Sequence, residues 1–228
     1  MKIKWLGHHC VLITSEAGIK IITDPYSTTD PTGTIPGKQL GYGKITESAD
    51  IVTVSHEHFD HNNVAAVKGN PEVVSELIRG IGTTEVKGIE FRVVDSYHDE
   101  VEGSWLGRNS LIRFEVDGIS VCHLGDLGQK GLTGRQLAEL GRVDILITPV
   151  GGHFVIGAEE ASLICDQLRP KVVIPTHFKT DKCFITLEGV DDFLLGGKTV
   201  RKLDVSEVSF RQGELPANME VIVLKPAL

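Results

Sequence analysis

Apolar residues at the start of the chain fall into short runs that predict β-strands. The runs cover Lys2–Leu6, Cys10–Thr14 and Ile19–Thr23, and Glu16-Ala17-Gly18 supplies turn residues between the last two. Runs of about four to eight residues bounded by turn residues are typical of strands. We therefore predict a strand-rich beginning, with a hairpin between the second and third strands.

Residues 27–49 lack such a pattern. They contain four glycines, two prolines and seven serines or threonines, and this composition predicts a long loop. Loops of this length inside a compact domain usually have a function. We expect either a flap that covers a substrate or a surface excursion with no role in a site.

In the remainder of the chain, a further group of strands gives way to strands that alternate with helices. Asp117-Gly118 is a hairpin signal, and Thr133 is a suitable N-cap. The predicted elements are a short helix at Val64–Val67, strands at Arg92–Ser96, Ser110–Val116 and Ile119–Leu124, a helix at Thr133–Leu140, a strand at Val143–Thr148, a helix at Ala158–Leu168, a strand at Lys171–Pro175, a helix at Glu188–Leu195 and a strand at Thr199–Leu203. This order fits two packed sheets with helices outside, and the pattern alone does not distinguish it from a three-layer α/β fold.

Length and charge narrow the class of protein. The 228 residues fall in the range of one large domain, so we expect a single domain over residues 1–228. Hydrophobic residues make up 41% and charged residues 24% of the chain, as in ordinary soluble globular proteins. A net charge of −8 argues against broad binding to nucleic acid or to an anionic membrane, which requires a basic surface.

Cysteine usage and the short apolar runs indicate a compartment. No C-x-x-C pair occurs among the widely spaced Cys10, Cys122, Cys165 and Cys183, which favours buried thiols in a reducing environment over disulfides. Gly7-His8-His9 interrupts the first apolar stretch before it reaches the length of a signal peptide, and no run approaches the roughly 18 apolar residues of a membrane span. We therefore expect a cytoplasmic protein.

The strongest chemical signal is the segment His56-Glu57-His58-Phe59-Asp60-His61, which follows the apolar run Ile51-Val52-Thr53-Val54. A chain that leaves a buried strand can turn its next side chains toward the carboxyl end of that strand, where α/β folds place their sites. The first two histidines can then share one metal while Asp60 and His61 reach a second. Neutral imidazole and carboxylate suit zinc first, with iron, manganese or nickel also compatible. The alternative is a polar loop that is merely rich in histidine.

Three further candidates end predicted strands or follow them directly: His98, Asp126 and His177. Each alone is weak evidence, because a single histidine at a strand end is more often a structural residue. Strand-end positions are nevertheless held by packing and can be brought together from distant parts of the sequence. With the histidine-rich segment they supply seven ligands, enough for two ions that share a carboxylate and keep a position open for water.

In this set and order of residues, the chain resembles the metallo-β-lactamase-fold hydrolases. The resemblance consists of Asp24 in Ile21-Ile22-Thr23-Asp24-Pro25, the H-x-H-x-D-H segment, and then His98, Asp126 and His177. Four further segments look most like the small cytosolic branch that includes L-ascorbate 6-phosphate lactonase: Gly7-His8-His9, His123-Leu124-Gly125-Asp126-Leu127-Gly128, Pro149-Val150-Gly151-Gly152-His153 and Pro175-Thr176-His177-Phe178.

The resemblance implies an αββα sandwich, a four-layer fold of two mixed sheets flanked by helices. It also implies a dinuclear site in which a metal-bound hydroxide attacks the substrate. The implied ligands are His56, His58 and His98 for one ion and Asp60, His61 and His177 for the other, with Asp126 bridging them. Asp60 would also be catalytic, orienting the hydroxide or passing its proton to the leaving group.

Three other residues have two interpretations each. Asp24 is expected to accept a hydrogen bond from a ligand imidazole and fix its tautomer, or it belongs only to a structural Asp-Pro turn. His153 either touches substrate or supports the helix that follows it. Lys179 could hold an anionic group of the substrate, or it is a solvated surface charge.

The remaining histidines near the motifs are His8, His9 and His123, which we expect to be satisfied core or edge histidines. Successive side chains of a strand point to opposite faces, so at most one of His8 and His9 would face the site if both are extended. Glu57 is expected to point away from the ligands as a solvated or structural carboxylate.

The sequence thus predicts a hydrolase with two divalent ions, zinc first and manganese or iron as alternatives. Its substrate is expected to be a small ester, lactone or phosphoester metabolite, without a nucleic-acid or membrane partner, and a homo-oligomer is left open. One alternative is a phosphodiesterase acting on nucleic acid or phospholipid, against which the acidic charge weighs. Another is a non-catalytic metal-binding regulatory protein, against which the presence of Asp60 weighs.

Overall fold

The computed structural model describes residues 1–34, 37 and 39–228, which form two stacked β-sheets with helices on the outside. In chain order the strands are β1 (Lys2–Gly7), β2 (Cys10–Thr14), β3 (Lys20–Thr23), β4 (Ile51–Val54), β5 (Glu72–Ser75), β6 (Gly82–Val86), β7 (Ile89–Tyr97), β8 (Arg108–Val116), β9 (Ile119–His123), β10 (Ile145–Pro149), β11 (Val172–Thr176), β12 (Thr199–Lys202), β13 (Glu207–Ser209) and β14 (Glu220–Val223). The helices are α1 (Glu76–Arg79), α2 (Gly134–Leu140) and α3 (Ala158–Leu168), with 3-10 turns at Val64–Ala66 and Asp192–Leu194.

Both sheets are mixed. Within the described residues, one sheet has six strands in the order β13-β1-β2-β3-β4-β5 and the other has eight in the order β12-β14-β11-β10-β9-β8-β7-β6. In the first sheet, β3, β4 and β5 are parallel and the other pairs are antiparallel. In the second sheet, the neighbouring strands β12, β14, β11, β10 and β9 pair in parallel. The neighbouring strands β9, β8, β7 and β6 pair antiparallel.

The six-stranded sheet buries both of its faces. In β2, Val11 and Ile13 join the main core shared with the other sheet, whereas Cys10 and Leu12 join a second cluster on the opposite side. This division follows from the alternation of side chains along a strand. Burial of both faces also explains why the run Ile51–Val54 is almost continuously apolar instead of alternating.

The loop over residues 27–49 covers the outer face of this sheet. Leu40, Tyr42 and Ile45 are buried in the second cluster together with Tyr26 just before the loop. Part of the loop is therefore packed against the sheet, whereas residues 31–34, 43 and 44 are exposed, so a flap that covers a substrate and a surface excursion both stay predictions. Residues 35, 36 and 38 of this loop lie outside the described residues.

Helices α2 and α3 contact the eight-stranded sheet, through β7 and β10 respectively. Helix α3 has the predicted bounds, and α2 begins after Thr133, whose hydroxyl accepts a hydrogen bond from the amide of Gln136 at 3.2 Å. The predicted αββα sandwich is confirmed. Its helical layers are uneven, because loop residues form much of the cover on the six-stranded side.

Several predicted elements differ from those observed. The helix predicted at Glu188–Leu195 is wrong, and only the 3-10 turn Asp192–Leu194 forms there. The amide of Glu188 donates to the carbonyl of Gly151 and its own carbonyl accepts from Lys179, both at 2.7 Å, so this backbone connects loops. Strands β5, β6, β13 and β14 were not predicted; β6 and β13 are edge strands with several exposed side chains, which removes the apolar signal.

Strand direction explains where the candidate ligands lie. Strands β3 and β4 are parallel in one sheet, and β7, β9 and β11 run in the same direction in the other. The predicted site residues follow the carboxyl ends of these strands. They therefore meet at one rim of the sandwich.

Two glycines allow the segments at this rim to approach each other closely. A Cβ atom at Gly128 would overlap the carbonyl group of His98, and a Cβ at Gly151 would overlap the carbonyl oxygen of His177. Because both neighbours are backbone atoms, they could make room only if the ligand-bearing segment moved.

We expect Gly128→Ala to destabilise the fold by about 1–3 kcal/mol, the usual cost of forcing an added methyl group into a packed region. The matched control is Gly134→Ala at the first position of α2, where a Cβ meets no atom within 4 Å. This control should be neutral or slightly stabilising because alanine favours helix. Chemical denaturation of both variants checks the prediction, and equal stabilities would contradict it.

Candidate metal centre

The first group of candidate ligands consists of His56, His58 and His98. His56 Nε2 lies 3.0 Å from His58 Nδ1, and the ring centroids of His56 and His98 are 4.8 Å apart. One ring nitrogen from each of the three lies within 4.8 Å of the others. Tetrahedral zinc with nitrogen ligands at about 2.0–2.1 Å separates those nitrogens by about 3.3 Å. The three imidazoles are thus spaced to hold one cation.

A second group lies beside the first and contains the predicted Asp60, His61 and His177 together with His8. Ligand atoms of these four buried side chains also lie within 4.8 Å of one another. The rings of His61 and His177 are stacked with centroids 5.6 Å apart. The structure therefore brings together all three predicted residues of the second set.

The carboxylate of Asp126 lies between the two groups. Its Oδ2 atom is 3.2 Å from His98 Nε2 and 3.8 Å from His56 Nε2 in the first group. The same oxygen is 3.1 Å from His61 Nε2 and 3.4 Å from His177 Nε2 in the second. One carboxylate oxygen thus faces four imidazoles, as the bridging position requires.

Burial and the neighbouring histidines shift the pKa values of the two carboxylates of the site in opposite directions. Burial raises the pKa of Asp126, but His177 and His61 outweigh it and hold the pKa well below its usual range. Burial likewise raises the pKa of Asp60, and His61 and His8 more than offset that effect. Both carboxylates are therefore ionised, which is the form that binds a cation.

The imidazoles divide into those whose pKa is lowered and those whose pKa is raised. Burial lowers the pKa of His56, and the neighbouring His61 lowers it further, so this ring is neutral and ready to bind a metal. Burial also lowers the pKa of His61, but Asp126 and Asp60 outweigh it and raise the pKa well above its usual value. Burial lowers the pKa of His98 as well, but the hydrogen bond that its ring donates to Asp126 and the negative charge of that carboxylate together raise the pKa above its usual value.

Unpaired atoms at the centre of the site fit a bound cation. His61 Nε2 and Asp126 Oδ1 are buried and have no hydrogen-bond partner. Buried polar atoms without partners are rare and call for an explanation, such as an unseen ion. With imidazole and carboxylate as donors, the residues at this rim fit zinc or a similar divalent metal.

Asp24 contacts the imidazole of a candidate ligand. Its Oδ2 atom lies 3.0 Å from His61 Nδ1 and accepts a hydrogen bond from the Ser55 hydroxyl at 2.5 Å. Its Oδ1 atom accepts from the Ser55 amide at 2.8 Å. With Nδ1 of His61 engaged, Nε2 is the nitrogen that faces Asp126. The role of Ser55, which also lies 2.9 Å from His56 Nδ1, had no signal in the sequence.

His8 contacts the second group more closely than expected. Its Nε2 atom lies 3.1 Å from Asp60 Oδ2, and its ring centroid is 4.2 Å from that of His177. His8 is not extended but has a φ of 51° in the turn after β1. The alternation rule for extended strands therefore does not apply here, and both His8 and His9 point toward the site. The preceding Gly7 was the available sign of a turn.

His9 and His123 are buried side chains beside the ligands, but His9 Nε2 has no hydrogen-bond partner, so His9 is not the satisfied histidine that was expected. His9 Nδ1 lies 2.6 Å from the hydroxyl of Thr176. His123 Nε2 lies 3.0 Å from the carbonyl oxygen of His9, and the two rings are 4.0 Å apart. These contacts pack the ends of β2, β9 and β11 against one another.

The structure does not bring His153 or Lys179 into the metal pocket. His153 is exposed in a turn with a φ of 63°, and its neighbour Phe154 lines the pocket instead. Lys179 Nζ donates hydrogen bonds to the carbonyls of Cys183 at 2.6 Å and Ile185 at 3.1 Å. Glu57 is exposed and accepts from Asn62 at 3.1 Å, as expected for a solvated carboxylate.

A cavity of about 350 Å³ opens above the candidate ligands. Metal-site residues form its floor, and side chains from several loops form its wall. The lining residues are Gln39, His58, Phe59, Asp60, His98, Leu106, Asp126, Phe154, His177 and Ile185. Its volume is near the lower end of the roughly 300–1,000 Å³ of small-molecule sites.

Comparison with known families agrees with this geometry. Residues 2–177 match the family described as the beta-lactamase superfamily domain, and the chain belongs to this family. Within the described residues, no helix is both long and apolar enough to cross a membrane.

Curated relatives carry the description UPF0173 metal-dependent hydrolase. The protein from Natranaerobius thermophilus is 32% identical over 200 residues, which cover 79% of this chain and 84% of the relative. The protein from Pyrococcus abyssi is 29% identical over 202 residues, covering 79% of this chain and 85% of that protein.

A crystal structure from Thermotoga maritima has a TM-score of 0.74 and 36% identity, covering 98% of this chain and 97% of that one. It is described as a candidate zinc-dependent hydrolase of the metallo-beta-lactamase superfamily. Family, relatives and site together define a metal-dependent hydrolase of this superfamily. The finer resemblance to the lactonase branch and the single domain over residues 1–228 stay predictions.

We expect Asp24→Asn to lower the affinity for zinc by about 10- to 100-fold, the usual effect of altering a residue that orients a metal ligand. In this variant an amide nitrogen replaces the carboxylate oxygen that contacts both His61 and Ser55. The shape of the side chain is kept, but this nitrogen cannot accept a hydrogen bond. Competition with a chromophoric chelator measures the affinity, with the exposed Asp166→Asn on α3 as the control. Unchanged zinc affinity in Asp24→Asn would refute this role.

Metal uptake near neutral pH is expected to release about one proton or more. Because the pKa values of His61 and His98 are raised in the metal-free protein, these rings hold protons that a cation must displace, and metal affinity should fall as the pH falls. Calorimetric zinc titrations at pH 7 in two buffers of different ionisation enthalpy count the released protons. A binding enthalpy that is the same in both buffers would contradict the expectation.

Proposed function

We propose that this chain is a dinuclear metal hydrolase acting on a small ester, lactone or phosphoester. The observation that carries the proposal is the position of Asp126 Oδ2, which lies 3.1–3.8 Å from ring nitrogens of both histidine groups. A single ion would use one group and leave the converging ring nitrogens of the other group without a cation. Each group would hold one of two ions, and Asp126, which faces both groups, would serve both.

The chain's own residues then have distinct tasks. Divalent cations held by these two groups would supply a hydroxide near neutral pH and would polarise the carbonyl or phosphoryl group under attack. Asp60 lines the pocket and can take the proton of the attacking water and deliver it to the leaving group. His8, 3.1 Å from Asp60 Oδ2, holds that carboxylate in place. These roles need no serine or cysteine nucleophile.

Zinc is the metal that the donor set favours, with manganese or iron as alternatives. The two groups together offer five imidazoles from the predicted set and two carboxylates, and imidazole-rich sites suit zinc and iron while carboxylate suits manganese. The description of the related Thermotoga maritima structure as a candidate zinc-dependent hydrolase supports this choice.

We further propose a small-molecule substrate and a cytoplasmic location. The net charge of −8 and the modest cavity favour a small molecule over nucleic acid. All four cysteines are free and buried, which fits a reducing compartment. Burial raises the pKa of Cys122 and Cys165 to about 12, so these thiols take no part in the reaction.

Metal analysis followed by an activity screen tests the proposed function. We expect two zinc ions per chain in the wild type, about one in His58→Ala, and two in the control His153→Ala, whose side chain lies outside the metal pocket. Asp60→Asn should lower kcat by about 10²–10⁴-fold, the range for loss of an acid–base group. Chelation of the metal should abolish turnover in every variant.

The screen covers esters, lactones and phosphoesters with zinc, manganese or iron restored after chelation. A protein that binds fewer than two ions at saturating metal, or that hydrolyses none of these substrates when loaded, would refute the proposal.

A further inference from the structure

We infer that the substrate is a neutral ester or lactone that carries an apolar group beside the bond to be cleaved, and that Phe154, Leu106, Phe59 and Ile185 bind this group. The inference rests on the proposed hydrolase function and narrows its substrate class. It excludes phosphorylated and other anionic metabolites as preferred substrates.

These four apolar side chains, here called the wall, come from separate segments of the chain and line the same cavity as the candidate metal ligands. Phe154 is 41% exposed, and the other three are half-buried. A ligand seated on the metal site would cover this surface and remove it from water, which is the favourable part of apolar binding.

Backbone hydrogen bonds hold the wall in place without a ligand. The amide of Leu106 donates to Asp99 at 2.8 Å, and the same carboxylate accepts from three further amides of its turn at 2.8–2.9 Å. The amide of Phe154 donates to the carbonyl of Gly152 at 2.8 Å, and the carbonyl of Phe59 accepts from Ser27 at 3.0 Å. Binding therefore requires little ordering of these segments.

The carbonyl of Ile185 is fixed by the ammonium group of Lys179 at 3.1 Å. This contact also explains why Lys179 is not an anion-binding residue, since its other hydrogen bond goes to the carbonyl of Cys183 at 2.6 Å. Arg108, near the same rim, is paired with Glu76 at 2.8 Å. Among the described residues that line the cavity, none is a lysine or an arginine.

A phosphate group on a substrate would therefore meet the wall without a lysine or arginine from the described lining residues to balance its charge. Burying a charged group against apolar surface is costly unless a partner compensates it. An alkyl or aryl group at the same position displaces water from apolar carbon instead. The wall thus selects against anions at a distance from the metal site, whatever group binds at the metals.

Acyl hydrolysis is the reaction that fits both the candidate metal ligands and the apolar wall of the cavity. The oxygen of water bonds to the carbonyl carbon, and the bond from that carbon to the ester oxygen breaks. Asp60 carries the proton to the departing oxygen, so an ester yields a carboxylic acid and an alcohol, and a lactone yields a hydroxy acid. The acid then ionises by releasing its own proton to solvent.

The test compares p-nitrophenyl acetate, butyrate and hexanoate with p-nitrophenyl phosphate on the zinc-loaded enzyme. We expect kcat/KM to rise about threefold to fourfold for each added methylene that reaches the wall, corresponding to the transfer free energy of a buried CH₂. Phe154→Ala should flatten this dependence on chain length. The control Leu195→Ala removes an apolar side chain that is 66% exposed and does not line this cavity, and it should leave the dependence intact.

A binding measurement separates recognition from turnover. Hexanamide and acetamide are neutral and resist hydrolysis, and calorimetry should show tighter binding of hexanamide to the wild type but not to Phe154→Ala. Phe154→Lys should shift the preference toward negatively charged esters such as p-nitrophenyl succinate.

The outcomes distinguish the two proposals. Preferential hydrolysis of p-nitrophenyl phosphate, or a wild-type kcat/KM that does not depend on chain length, would overturn the substrate class and leave the dinuclear hydrolase intact. Equal chain-length dependence in wild type and Phe154→Ala would overturn the assigned wall. A metal-loaded enzyme that hydrolyses none of these compounds would instead remove the proposed function itself.

Discussion

The candidate site depends on one buried charge, the carboxylate of Asp126. Its Oδ2 atom lies within 3.1–3.8 Å of four imidazole nitrogens, and its Oδ1 atom has no hydrogen-bond partner. A buried carboxylate is stable only when it is paired. In the metal-free protein the pairing comes from protonated histidines, and bound cations would supply it more completely. Each element at the rim is arranged around this charge.

A second layer of polar groups keeps the first in position. Asp24 and Ser55 orient His61 and His56, and the side-chain amide of Asn109 donates to Ser96 at 2.7 Å and to the carbonyl of Leu124 at 2.9 Å. These groups are buried, so each unmade hydrogen bond would be costly. These buried hydrogen bonds restrict the motion of the groups they join, which a site needs when its ligands come from both sheets of a sandwich.

The sequence predicts the parts of this site that depend on strand ends. His98 and His177 follow predicted strands, and the strand that precedes His56 is buried on both faces, so their positions follow from local pattern and strand direction. His8 was not predicted, because its orientation comes from a turn with a φ of 51° instead of from alternation. The helix predicted near Glu188 failed for a related reason, since contacts with Gly151 and Lys179 from distant segments decide that backbone.

The difference between strand-end positions and turn positions also separates the candidate metal ligands from the residues proposed to select the substrate. The ligands lie on positions that the sheets determine, so changing them disturbs the core as well as the site. Phe154 and Leu106 lie on turns held by their own backbone bonds, and their side chains can change with little effect on the ligands a few ångströms away. A sequence pattern therefore reveals the class of reaction, whereas the class of substrate becomes visible only when turns from separate segments are seen to form one apolar wall. Substrate preference in such a fold can change by substitution in turns while the metal-binding rim stays as it is.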